Sequence, residues 1–166
     1  MKQSILKYGT MAGITLIGYF LLFYFYDKNA MLGSTVQLSS YVVYALFMYL
    51  AAKSVGNLDF KTVLRTAFGV FIVTNLFYYA FDYGLFNWVD KSLADVQKNM
   101  MLDYYTANIK TVQETKEMTD NINNGNFHNL KSISFGFAKG AIGGFGLAII
   151  ITYLVKKSSE MAQKGF

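Results

Sequence analysis

Residues 8–26 read YGTMAGITLIGYFLLFYFY, 19 positions without one formal charge, closed by Lys7 on one side and Asp27 on the other. A helix crossing a hydrocarbon layer of about 30 Å needs roughly 20 predominantly apolar residues, so this run spans a bilayer unaided. Residues 29–52 form a second such run of 24, between Lys28 and Lys53. Two further runs, 66–81 and 140–155, hold 16 residues each; the first extends past Arg65 and Asp82 over 63–85, and the second past Lys139 over 133–155. The chain is therefore expected to be an all-α integral membrane protein: one four-span domain over residues 1–166, with transmembrane helices at about 8–26, 31–52, 63–85 and 133–155.

Composition points the same way. Only 15% of the 166 residues are charged, against about 25% in soluble domains, and the chain has no Cys and no Pro. An ordinary cytosolic enzyme, a disulfide scaffold and a disordered tail are excluded. A cleaved leader is also disfavoured. The first apolar stretch exceeds the roughly 7–15 residues of a signal core, and Asp27-Lys28-Asn29-Ala30 supplies no small-x-small cleavage site. The first span is expected to be retained.

Four spans put both ends of the chain on one side. The amino end, the second connection and the carboxy end carry Lys2, Lys7, Lys53, Lys61, Arg65, Lys156, Lys157 and Lys164, whereas the first connection offers Lys28 balanced by Asp27. Basic residues in short loops mark the cytoplasmic face, so both termini are expected in the cytoplasm of a bacterial inner membrane. Aromatics agree: Tyr24 and Tyr26 crowd the far end of span one, and Tyr83 and Trp88 that of span three, where such rings settle at headgroup level. In the inner connection, Gly56-Asn57 is turn chemistry and Asp59 suits a helix cap rather than a catalytic role.

Residues 90–129 hold six acids against four lysines. Leu93, Val96, Met100 and Tyr104, then Tyr105, Ile109 and Val112, recur at three- and four-residue steps, predicting an extracytoplasmic helix broken once or a helical hairpin. The Asn-rich run 121–126 ends it. Two readings of this segment stand side by side, a solvated cap on the bundle and a docking surface for a partner.

Catalytic, cofactor-binding and metal-ligating residues are all read as none. The single His128 falls in the Asn-rich loop and reads as solvated; one His and no Cys do not make a usual zinc site. No nucleophile elbow or phosphate-cradling motif appears. The acids of 90–120 lack the close alternate spacing of a calcium loop. The basic surplus is explained by membrane anchoring, so nucleic acid is excluded as a partner. The chain is not expected to be an enzyme.

Inside the bilayer, Ser132, Gly136, Gly140, Gly144, Ala148 and Thr152 fall every fourth residue, and Gly9 and Gly13 repeat the spacing in span one. Small residues at this interval let helices approach closely in lipid. They serve either the bundle's own packing or contact with another membrane protein or a second copy. Asn75, in mid-span, needs a hydrogen-bonding partner and is expected to face the interior, as glue or as part of a solute path. Asp82 and Lys139 sit about 25 Å from the cytoplasmic boundary of their spans, at 1.5 Å per residue. They either pair across adjacent helices or reach water separately.

The opening Leu6-Lys7-Tyr8-Gly9-Thr10-Met11-Ala12-Gly13-Ile14, the segment Leu58-Asp59-Phe60-Lys61-Thr62-Val63-Leu64-Arg65-Thr66-Ala67-Phe68 and the closing Val155-Lys156-Lys157 resemble the uncharacterised Bacteroidetes membrane proteins grouped as domain of unknown function 4199. The resemblance covers nearly the whole chain. It implies four spans and an inner-membrane location in a Gram-negative bacterium, and brings no catalytic residues. The expected role is a non-enzymatic accessory or scaffolding subunit in the lipid bilayer; the alternative is a small transporter or channel subunit.

Overall fold

The computed structural model describes residues 1–56, 59–108, 112–125 and 127–163. Asn57 of the inner turn, Ile109 of the outer apolar repeat and Asn126 of the Asn-rich run lie outside the described residues, as does the Leu58 of the family-like segment. The described residues are helical almost throughout: α1 (Lys2–Tyr26), α2 (Lys28–Leu32), α3 (Ser34–Ser54), α4 (Phe60–Gly84), a π-helical turn (Leu85–Val89), α5 (Ser92–Asn108), α6 (Val112–Asn124) and α7 (Leu130–Gln163). Four helices are long and apolar enough to cross a membrane: α1, α3, α4 continued through the π turn, and α7.

Local chemistry sets the breaks. The extended backbone of Asp27 ends α1, and its carboxylate accepts from the Asn29 amide at 2.8 Å, capping α2. Gly33 is extended as well, so the second span begins at Ser34 and residues 28–32 form a separate turn of helix. Gly56 takes φ +77°, a left-handed conformation that costs glycine little, to close α3. Asp59 then caps α4, accepting from the Thr62 amide at 3.0 Å and from the Thr62 hydroxyl at 2.7 Å. Those two bonds, hydroxyl first, hold its carboxyl below the ordinary carboxylate value.

α4 is the hub, touching α1, α3 and α7; α3 also meets α1 and α7. The buried core gathers Leu16 and Phe20 of α1, Tyr44 and Met48 of α3, Val70 and Phe71 of α4, and Ala148 and Ile151 of α7. Large apolar side chains point outward as well, among them Ile14, Leu22, Val42, Leu76, Ile142 and Ile150. In water such a surface would be a liability; around spanning helices it is the face that meets acyl chains.

Burial of apolar area does not drive helices together in lipid, so close backbone approach must. A Cβ added at Gly9 would lie 2.6 Å from the Val73 Cβ, and one at Gly13 2.6 Å from that of Phe77, so both glycines seat α1 on α4. On α7, Gly136 faces Tyr79, Gly140 faces Asn75, and Gly144 lies directly under the Phe71 ring. Ala148 is fully buried. A Cβ added at Gly143 or Gly146 would meet nothing from another helix within 4 Å. The ridge of α7 is thus occupied by α4 of the same chain.

Candidate functional site

Helical spacing on α3 brings Ser34, Gln37, Leu38, Tyr41 and Tyr44 to one stripe, with Ser40 at its edge. On α4 the steps Phe71, Asn75, Tyr78 and Tyr79 do the same. Where these stripes face each other and the bare backbone of α7 at Gly140, they enclose a cleft of about 550 Å³. Its lining contains no Asp, Glu, Lys, Arg or His. Hydrogen-bonding groups line it nonetheless, at a depth where each carries a cost if unpaired.

Most of those groups are already engaged. The Tyr78 hydroxyl donates to Gln37 Oε1 at 3.4 Å, Gln37 Nε2 donates to the Met31 carbonyl at 3.3 Å, and the Ser40 hydroxyl donates to the Gln37 carbonyl at 2.6 Å. The Tyr44 hydroxyl donates to Asn75 Oδ1 at 3.3 Å. Asn75 itself is 4% exposed, and its Nδ2 has no hydrogen-bond partner. Turning the amide over would leave Oδ1 without one instead. A Cβ on residue 140 would lie 3.3 Å from Asn75 Nδ2, so the absence of a side chain at Gly140 leaves the amide room.

A family model for a protein of unknown function, DUF4199, matches residues 7–157. The chain belongs to that family. Comparison with curated proteins and with solved structures returned no match. The span matched to DUF4199 contains every residue of the cleft and the polar groups that close the bundle beyond it.

Two such groups depart from what the sequence suggests. His128 of this DUF4199 chain is not solvated. Its ring stacks on Phe86 with centroids 3.5 Å apart and planes 9° from parallel. Nδ1 lies 3.0 Å from Asp82 Oδ2 and Nε2 lies 2.7 Å from Gln97 Oε1. A neutral ring donates through one nitrogen, so it satisfies both contacts only with the Gln97 amide turned to offer its nitrogen. Asp82 therefore pairs with His128, while the Lys139 ammonium lies over the Phe135 ring, 4.5 Å from its centroid. Of the two alternatives for Asp82 and Lys139, pairing across adjacent helices is not what the structure forms: each has another partner.

The second group is Asp90. Lys28, which the sequence balances against Asp27, instead reaches Asp90 Oδ2 at 2.5 Å. The Tyr24 hydroxyl donates to the same oxygen at 3.0 Å, and Oδ1 accepts from the Ser92 hydroxyl at 2.6 Å and the Ser92 amide at 3.1 Å. One carboxylate joins α1, α2, the π turn and α5. The Lys28 bond first, then the Ser92 hydroxyl, hold its carboxyl well below the ordinary range. The same bond to Asp90 raises Lys28.

Among the described residues no three His, Asp or Glu side chains gather as a metal site requires. Chemically the cleft offers one buried amide with an open hydrogen-bonding position, a set of phenol rings, and no charge. That equips it to hold a neutral molecule. Asn75 was visible in the sequence as a polar candidate and Gly140 as a packing residue; Gln37, Ser40 and Tyr44 carried a usable signal in their three- and four-residue spacing along an otherwise apolar run.

Proposed function

We propose that this DUF4199 chain is a non-enzymatic binding protein of the inner membrane of a Gram-negative bacterium, of the carrier class, which holds a small uncharged ligand in the cleft between α3, α4 and α7. The open hydrogen-bonding position on Asn75 supports this reading. Left unfilled, a buried amide costs about 1–3 kcal/mol; a ligand with an acceptor removes that cost. Melting of the purified chain in mild detergent tests it. A panel of uncharged carbonyl compounds should contain members that raise the melting temperature of the wild type and leave Asn75→Leu unmoved. Equal responses of the two proteins to the whole panel would remove the cleft from any function.

The accessory-subunit reading draws on a different feature. Among the described residues α6 touches α5 and no other helix, and α5 meets the other helices through α2 and the π turn, which leaves the hairpin room for a partner. The glycine ridge gives this reading no support, since α4 covers it. A stoichiometric companion retained through purification from native membranes would move the assignment from carrier to subunit.

Orientation follows the basic bias, with both ends and Lys61 cytoplasmic and the α5–α6 hairpin outside. Single cysteines at Lys61 and Glu117, both exposed, check this in a chain with no cysteine of its own. An impermeant maleimide should label position 117 and spare position 61 in intact spheroplasts; the reverse pattern inverts the topology.

A further inference from the structure

The chemistry of the cleft narrows its occupant, and this step rests on the binding reading above. We infer that the cleft takes a flat, uncharged, carbonyl-bearing lipid of the quinone class, which enters sideways from the bilayer.

The entrance comes first. Leu38 and Tyr41 line the cleft on α3, a spanning helix, and are 68% and 47% exposed. Side chains exposed on such a helix abut acyl chains, so the mouth opens toward lipid. Molecules dissolved in the bilayer therefore reach it without crossing water.

Charge is the second constraint. No Asp, Glu, Lys, Arg or His lines the walls, and an ion held at this depth without a counter-charge is strongly disfavoured. Polyols and sugars are disfavoured for a different reason. They need many donors and acceptors, whereas Gln37 and Ser40 already bond within the bundle. Among the described residues, the deeply buried polar atom left without a partner is the donor Asn75 Nδ2. A carbonyl oxygen is the acceptor it fits.

Shape is the third. Tyr41, Tyr44 and Phe71 form a continuous aromatic wall, with centroids 5.8 and 4.9 Å apart and both pairs tilted by 35°. Tyr78 and Tyr79 add two more rings to the lining, 5.1 Å apart. Such walls offer π-faces to a flat ring. The volume of about 550 Å³ falls within the roughly 300–1,000 Å³ of small-molecule sites, enough for a ring with the first part of its tail.

The test uses the full chain in phosphatidylcholine nanodiscs doped with a naphthoquinone bearing a short isoprenoid tail. Occupancy against mole fraction is read by native mass spectrometry. Wild type should saturate at one quinone per chain. Asn75→Leu should shift the curve about tenfold to weaker binding, the usual effect of one hydrogen bond. Gly140→Leu should abolish occupancy by filling the cleft, and Gly143→Leu, with nothing near it, should bind as wild type. Dioleoylglycerol, which has carbonyls but no ring, is the second probe. If it binds with the same Asn75 dependence and the quinone does not, the cleft still binds a ligand but the quinone class is overturned. If neither probe responds to Asn75→Leu or Gly140→Leu, the quinone inference and the binding reading fall together.

Discussion

The two ends of the bundle are built on different principles. Toward Phe60, Met48, Ala51 and Ala52 of α3 meet Val63, Ala67 and Val70 of α4, all of them fully buried. Toward Trp88 the helices enclose a cleft, and closure is achieved by Asp90 and His128, each holding several elements through hydrogen bonds. Apolar packing of this density cannot rearrange without opening voids. A hydrogen bond can exchange one partner for another at little net cost. One end is thus fixed by volume, and the other is free to answer a ligand.

Breaking the fixed part should have the largest effect. In Gly144→Leu the new side chain collides with the Phe71 ring, and overpacking of this kind costs about 3 kcal/mol. Gly143→Leu, on the open side of the same turn, should stay within about 0.5 kcal/mol of wild type. Unfolding in mixed micelles compares them; similar losses would mean that the ridge is not what seats α7.

His128→Ala should come next, at about 2 kcal/mol, for two hydrogen bonds and one stacked ring. A double-mutant cycle sharpens the point. Asp82→Asn with His128→Ala should show coupling of about 1 kcal/mol, and Asp82→Asn with Lys139→Gln coupling near zero. Coupling in the second cycle alone would restore the pair that the structure does not form.

Acid tests the closure near Trp88 without a mutation. Asp90 is depressed in the folded chain, so its contribution is complete above the unfolded carboxylate value of about 3.9 and fades as pH falls toward its folded value. Lys28 is raised, so its contribution holds below about 10.4 and is lost as pH climbs through the folded value. Wild type should loosen near Trp88 below about pH 4, seen as faster amide exchange in α2 and α5. Asp90→Asn should exchange faster at neutral pH and show no further change in that acid window. Acid loosening of equal size in both proteins would place the responsible carboxyl elsewhere.

Asn75→Leu should stay within about 1 kcal/mol of wild type, because removing the amide's unmet bond offsets the acceptor lost to the Tyr44 hydroxyl. A loss beyond about 2 kcal/mol would show that Asn75 is structural glue and that the amide's open position has no ligand to fill it.

How far the sequence could be read follows from the same contrast. Four helices able to span were legible because uncharged runs are a local property, and the cap at Asp59 was legible because its bonds reach three residues. The polar closure was not. His128 meets Asp82 across 46 positions and Lys28 meets Asp90 across 62, distances over which periodicity carries no information. The cleft fell between these cases. Asn75 stood out as a mid-span amide, but that Gln37 and Tyr44 turn toward it depends on the rotation of α3, which Gly33 sets by ending α2 in extended backbone.

The π turn carries one more consequence. The Asp90 amide bonds back to the Leu85 carbonyl at 2.8 Å, five residues behind rather than four, so the chain here contains one residue beyond α-helical phase. Removing any single residue from Leu85–Val89 would restore that phase and swing everything downstream by about 100°. Asp90 would then leave Tyr24 and Lys28 behind, whatever residues remained. This stretch tolerates changes of letter better than changes of length, and a one-residue deletion should be far more harmful here than substitution of the exposed Trp88.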